Sequence, residues 1–477
     1  MKKMQCAALL GVCLMFLGGC EKESGTDGGV PTLIWWQIGN TQPDFASDLK
    51  VISDYTQEKI GIRVEIKQAG WADSGQKFTT MINTGEYYDI LFTDLGSYNR
   101  YVSLGAFLDI TDMLSAHAPK LLEPEVIDPV LWQGVKIKEQ IYAVPTYKDS
   151  AVTGYYFWDH AYVEKYGIDI TQTSWTYLDQ AFSAIKAGES PRFYPLSIAR
   201  VSNLFIFSIF DSIGAELPAI GVDMQDANHR VVNTLEDPRI REKLRYLSKW
   251  YEAGIINPDA NTTDSEPRTR LFFMAQAWPS VAYSYAFTAG IEQYDPVQFF
   301  GPFYSTGSIQ GSMNAINANS KYKTEALKFL ELVNTDTKLR DMLAYGIEGK
   351  HFEYVNGGSA VRKNPQREWS LVNYQQGAYF IITPEDTVPP GYWDEVRKLN
   401  AEAESSVMLG FLLDPESIQN ELANCRTVYG KYATDLVTGA SDPDKVLPQV
   451  IAELKSVGFD KVMAESQRQV DAFFAAK

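Results

Sequence analysis

Hydrolytic and metal chemistry need particular side chains at particular spacings, and this 477-residue chain offers few such arrangements. Its 60 Asp and Glu residues supply carboxylate pairs by chance. The two flanking carboxylates that glycosidic-bond hydrolysis requires are therefore neither indicated nor excluded. No HExxH, GxSxG or P-loop pattern occurs. The four histidines, His117, His160, His229 and His351, lack metal-ligand spacing. NPDANTTDSE, around Asp259, looks superficially like a calcium loop but lacks the glycine and terminal glutamate such loops use. No metal and no cofactor are expected. What the chain carries in quantity is planar apolar surface, with 27 Tyr, 24 Phe and 10 Trp. Such rings either pack in a core or offer a stacking face.

Periodicity supplies the frame that would position them. Thr32–Ile38 reads as a strand, and 45–59 has helical spacing at Leu49, Ile52 and Tyr55, with Gly61 as its stop. Ile62, Val64 and Ile66 alternate as in a half-buried strand; 73–84 is helical up to Gly85, and 89–93 is a third strand. A β-α-β-α-β series implies a parallel sheet with right-handed crossovers. Ligands of open α/β sheets bind beyond the carboxyl ends of the strands. Gly39-Asn40, Gly70-Trp71 and Thr93-Asp94 fall there, which makes Asn40, Trp71 and Asp94 site candidates by position. Ordinary polar turns are the competing reading, and Asp94 serves equally well as a helix cap.

A second section begins near Lys148. VKIKEQIYAVPTYKD reads as a hairpin, 135–137 with 141–144, running into an extended connection. VTGYYFW is strand-like, followed by helices near 159–166 and 177–187, with Thr173 or Ser174 as N-cap of the second. A third helix, 240–253, stops at Gly254. WPSVAYSYAF and FFGPFYSTGSIQGSMNAI read as strands, 324–334 as a helix, and the chain beyond Thr337 as mainly helical.

The N-terminus reads as a targeting segment. Lys2 and Lys3 precede an apolar run over 6–17, which is too short to span a bilayer. The ending LGGC resembles a bacterial lipobox, so 1–19 is read as a lipoprotein signal peptide and Cys20 as the lipidated anchor. Residues 20–30 lack periodicity and read as a flexible tether reaching about 35–40 Å when extended. Cys6 and Cys13 leave with the signal, so Cys425 is the one unmodified thiol left and no intramolecular disulfide can form. Loss of Lys2 and Lys3 takes the net charge from −17 to −19, which makes nucleic acid a poor partner.

Several stretches, taken in order, resemble the extracellular solute-binding protein family 1, the carbohydrate-type receptors of bacterial ABC importers. They are TLIWWQIGN, TGEYYDILFTD, IYAVPTYKD, TSWTYLDQAF, KWYEAGIINPDA and the long run from GSMNAINANSKYK to YGIEGKHF. The tail, from LGFLLDPESIQNELANC through DPDKVLPQVIAELKSVGFDKVMAESQRQVDAF, resembles a lipoprotein subset with a helical C-terminal extension. In TSWTYLDQAF, Tyr177 and Asp179 depart from the family's spelling. The resemblance implies an α/β, two-lobed periplasmic-binding-protein-like fold, with a ligand cleft between lobes joined by hinge crossings. The crossings would fall at 145–150, about 285–300 and about 334–345. Lobe one would be 31–147 with 287–335, and lobe two 148–286 with 336–477.

That resemblance also implies a partner set: a sugar or oligosaccharide, ABC permease subunits, and the membrane through lipid on Cys20. The protein would work as a monomer on the outer membrane face. A sugar cleft needs aromatic platforms beside side chains that both donate and accept hydrogen bonds. Candidate platforms are Trp71, Tyr147, Trp175, Trp278, Tyr283 and Tyr285, the last three lying in a segment that the family places near cleft and hinge. Polar candidates are Asn40 with Gln42 past the first strand, Asp94, Lys148 at the crossing, and His351. Trp175 reads equally as packing at a helix start, and His351 as a structural histidine. A surface glycoside hydrolase, a receptor for peptides or other solutes, and a pure adhesin remain as alternatives.

Overall fold

The computed structural model describes residues 29–42 and 44–476. The signal peptide, Cys20 and most of the tether lie outside the described residues. Two main sheets are built from β1 (Thr32–Ile38), β2 (Arg63–Ala69), β3 (Ile90–Thr93), β4 (Ala143–Pro145), β5 (Val152–Asp159), β6 (Phe272–Gln276), β7 (Tyr294–Tyr304), β8 (Met313–Ile316) and β9 (Glu404–Ser405). The first sheet has the order β2-β1-β3-β8-β4. β1 runs parallel to β2 and β3, as the β-α-β-α-β pattern predicts, and β8 is antiparallel to both β3 and β4. The second sheet, β6-β5-β7-β9, is antiparallel except at its β7–β9 edge.

Each sheet has its own core, which gives the two-lobed α/β fold. Helices Phe45–Ile60 and Ser74–Thr84 cross over between β1, β2 and β3. With both faces covered, β1 is buried almost throughout, and the adjacent Trp35 and Trp36, pointing to opposite faces, both go inside. The second core gathers Tyr156, Trp158, Phe182, Trp250 and Phe272 with C-terminal residues such as Cys425, Val450 and Val470.

Three expectations change. WPSVAYSYAF contains a helix, Val281–Ala289, in which Val281, Ala282 and Ala286 are buried while Tyr283 and Phe287 face out. Burial at that spacing is helical, and tertiary packing overrides the β-propensity of the aromatics. The segment after 337 is not all helical: the hairpin Phe352–Val355 with Ala360–Lys363 and an irregular strap over 364–391 intervene. The lobe boundaries also move. β7 pairs with β5 in the second sheet, so the chain re-enters the first core at Tyr304, not at 287. Helix Thr337–Tyr345 sends Leu339, Met342 and Leu343 into the first core, so 334–345 is not a crossing. The chain instead passes between the cores at 151–152, at 300–304 and through the strap and helix Tyr392–Ala401, whose Val396 packs under the second sheet.

The strap has no regular hydrogen-bond ladder, so side chains sew it down. Arg340, completely buried, donates from Nε to Ala378 O at 3.0 Å, from Nη1 to Gln376 Oε1 at 2.6 Å, and from Nη2 to Asn373 O at 2.7 Å and Gly377 O at 3.3 Å. The neighbouring Asp341 accepts from Thr383 N, Thr383 Oγ1 and Tyr354 Oη. Asn334 Oδ1 accepts from Ala378 N, and Asn314 Nδ2 donates to the carbonyls of Gln375 and Gln376. Gln375 completes the seam by pairing both ways with the Ile38 backbone at the end of β1 (2.7 and 2.9 Å).

Candidate ligand cleft

The first lobe presents the carboxyl ends of its parallel strands to the inter-lobe space. There a cavity of about 200 Å³ is lined by Ile38, Thr93, Asp94 and Gly96, with the first turn of helix Ser74–Thr84 and Ser97 of helix Leu95–Ser103. Both helices direct their N-terminal N–H groups toward it, which favours hydrogen-bond acceptors. Asp94 closes a capping box with Ser97, accepting from Ser97 Oγ at 3.0 Å. Asp94 thus acts as a helix cap while still lining the cavity. Gly70 has Asn40 Oδ1 beside it, so the loops after β1 and β2 adjoin. Trp71, 52% exposed, stands on that rim. Asn40 is exposed, and Gln42 is half-buried with an Oε1 that accepts no hydrogen bond among the described residues.

Two sets of aromatic rings lie along the strap between the end of β3 and the second lobe. Phe92 meets Tyr374 edge-on at 6.0 Å. Farther along the strap Tyr379 meets Trp393 at 5.2 Å, Trp393 meets Tyr392 at 4.7 Å, and Tyr392 meets Trp278 at 5.3 Å. Trp278 is buried, and its Nε1–H finds no acceptor among the described residues. Beside the second set the crossing supplies polar groups. Gln276 Nε2 donates to Asp149 O (2.8 Å) and Oδ2 (3.2 Å), and Lys148 Nζ pairs with Asp149 Oδ1 at 3.1 Å. Burial, with the Asp149 carboxylate adding to it, pushes the phenols of Tyr285, Tyr379 and Tyr392 upward, so each hydroxyl keeps its proton as donor and acceptor. The arrangement sets half-buried rings beside hydroxyl, amide and charged groups, a combination that a polyhydroxylated ligand with C–H faces can use.

The remaining candidates divide. Tyr147 is buried at the first crossing, edge-on to Phe380 at 4.5 Å, and its carbonyl accepts from Tyr379 N, so it braces the strap. Tyr285 packs edge-on against Phe157 and Phe273 under the second sheet. Tyr283 lies on the outer side of its helix at 60% exposure. Trp175 is not brought to these ring sets: it stacks on Trp250 at 5.2 Å in the second core, the packing role its place at a helix start allows. Its N-cap is Ser174, whose Oγ accepts from Tyr177 N. His351 is not a cleft group either. It is buried, with Nδ1 accepting from Ile347 N at 3.0 Å and Nε2 lying 3.6 Å from Asp48.

Tyr374, Tyr379, Tyr392 and Trp393, with Asp149 and Gln276, are absent from the sequence-derived candidates. The strap has no periodicity to read. Its one signal is density of aromatics in a turn-rich stretch, WSLVNYQQGAYFIITPEDTVPPGYW.

A family model described as bacterial extracellular solute-binding protein matches residues 39–338, and one described as a domain of unknown function (DUF3502) matches 407–475. A carbohydrate ABC transporter substrate-binding protein of Streptococcus pneumoniae serotype 4 is 28% identical over 476 residues, spanning 97% of this chain and 94% of the relative. The crystal structure of the N-glycan transport solute binding protein NgtS from Streptococcus pneumoniae superposes with a TM-score of 0.82 at 28% identity, covering 93% of this chain and 99% of that one. The same protein in complex with Man5GlcNAc gives 0.73 at 29% identity, covering 94% and 99%.

Burial lowers the His351 pKa from its ordinary 6.5, against the pull of Asp48 and with Lys350 and Arg367 adding to the depression. A base whose folded pKa is depressed binds fewer protons folded than unfolded, so its contribution is complete above about pH 6.5 and is lost as pH falls below that value. We therefore expect the thermal midpoint to fall as the pH is lowered from about 7.5 to about 5.5, on either side of the ordinary histidine pKa, and to fall less in His351→Asn. Equal slopes in the two proteins would refute the assignment.

Proposed function

This chain belongs to the bacterial extracellular solute-binding proteins, and from that premise we propose that it captures an oligosaccharide between its lobes and delivers it to an ABC permease. It is then a binding protein and not an enzyme, as its relatives are substrate-binding proteins of transporters. The observation that carries the carbohydrate reading is the pair of ring sets along the strap, Phe92 with Tyr374 and Tyr379 through Trp393 and Tyr392 to Trp278, with the Lys148–Asp149 pair beside the second. NgtS, crystallised with Man1GlcNAc and with Man5GlcNAc, supports a glycan rich in mannose as the first class to try. Ligand contacts to both lobes would favour a closed form to the extent that they differ between open and closed states.

Lobe one is taken as 31–147 with about 305–378, and lobe two as about 152–303 with 392–476, the strap joining them. The family implies an extracytoplasmic location. The finer reading is a monomer held by lipid on Cys20 through the 20–30 tether, which raises its concentration near the permease. It predicts fractionation of the full-length protein with membranes and release of Cys20→Ser into the medium; unchanged membrane association would count against the anchor.

The test of function is a thermal-shift panel on the protein lacking residues 1–29, with mono- and oligosaccharides including Man1GlcNAc and Man5GlcNAc, peptides and amino acids. At a hundredfold excess over Kd a ligand stabilises the native state by about 2.7 kcal/mol. A shift with one glycan class, lost in Trp278→Ala and in the rim variant Trp71→Ala, is the expected result. A shift with peptides alone would overturn the sugar. Cleavage of polysaccharide with no shift from any solute would point to an enzyme.

A further inference from the structure

Beyond the cleft, on the far side of the Gly214–Glu216 turn, lies a groove of about 1370 Å³ that none of the sequence candidates enter. Glu216 reaches across to the first lobe, its Oε1 3.5 Å from where a side chain on Gly96 would start. Gly214 abuts Leu412, which lines the groove, so turn, cleft and groove are contiguous. One wall comes from the first lobe. Asn99 and Ser103 continue the helix face that Gly96 begins, and Tyr142 follows the hairpin Lys136–Ile137 with Gln140–Ile141. The other wall is C-terminal: the loop over 409–417 and helix Phe459–Ala475, which presents Arg468, Gln469 and Phe473.

The lining points to a ligand class. Arg468 is held bidentate by Glu465 at 2.8 and 2.7 Å, and Lys136 pairs with Glu139 at 3.0 Å, so these charges are matched within the wall. Gln469 is tied to Asp414 and Glu465, which leaves the amides of Asn99 and Gln133 and the charged ends of Lys138, Asp414 and Glu416 beside the rings of Tyr142 and Phe473. Donors and acceptors of both kinds beside ring faces are what a hydroxylated ligand with C–H faces can use. The volume of this open groove exceeds the ~300–1,000 Å³ typical of a small-molecule pocket, which gives room for an extended occupant.

We propose that this groove is a lateral subsite for a second arm of a branched oligosaccharide, and that the C-terminal helical module exists in this chain to wall it. The inference rests on the receptor reading above. The module thereby sets the size of ligand accepted, while the aromatic series between the lobes holds the arm nearest the hinge.

Titration calorimetry with Man1GlcNAc and Man5GlcNAc on wild type, Ser103→Trp and Asn99→Ala tests it. Ser103 is exposed on the groove wall, so its indole replacement fills the groove without entering a core. The expected result is Man5GlcNAc weakened about tenfold by Ser103→Trp and a few-fold by Asn99→Ala, with Man1GlcNAc unchanged. Unchanged Man5GlcNAc affinity, or equal weakening of both glycans in folded variants, would overturn the subsite and leave the receptor standing. Wild type that binds neither glycan would overturn both.

Discussion

A guanidinium with no access to water holds this molecule's binding face in place. Burying an ion costs several kcal/mol unless hydrogen bonds replace its hydration. Arg340 meets that requirement with four acceptors, three of them strap carbonyls. Burial pulls its pKa down to about 10, still well above neutrality, so the charge persists. Removing the donor would strand those acceptors at about 1–3 kcal/mol each. With Asp341 holding Thr383, two consecutive helix residues fix both ends of the segment that carries Tyr374 and Tyr379. The aromatic series between the lobes exists because the strap cannot drift from the first core.

That anchoring explains a division of labour. Groups fixed to the first lobe, from Asn40 to Tyr379, are preorganised, which lowers the entropy of ordering them on binding. Trp278 and Tyr392 belong with the core beneath the second sheet. A ligand spanning both sets therefore bridges the two lobes, and only contacts that differ between lobe arrangements can shift their populations. The C-terminal helices extend the same logic sideways, since Phe459–Ala475 packs in the second core yet lines a groove shared with the first lobe.

Legibility in the sequence followed periodicity. β1 and β3 with the helices that cross between them could be read almost to the residue, because each strand is a short apolar run and each helix buries one face and ends at a glycine. Asp94 and Trp71 were legible as strand-end positions for the same reason. The strap was not, because its conformation is set by long-range partners such as Arg340 and Asn314, which leave no local pattern. Val281–Ala289 was misread because two exposed aromatics gave it strand-like composition. Trp175 and His351 show the limit of residue type alone. Trp175 found a stacking partner in the distant Trp250, while His351 accepts from the nearby Ile347 N–H, and its residue type alone does not tell that turn-bracing role from a ligand contact.

Amide hydrogen exchange with and without saturating Man5GlcNAc measures whether the pinned strap and the strand ends of the first lobe receive a glycan together. We expect slowed exchange in 374–393 and in 93–97 together, with 276–282 joining them. Slowing confined to the C-terminal helices, or no change at all under saturation, would contradict it.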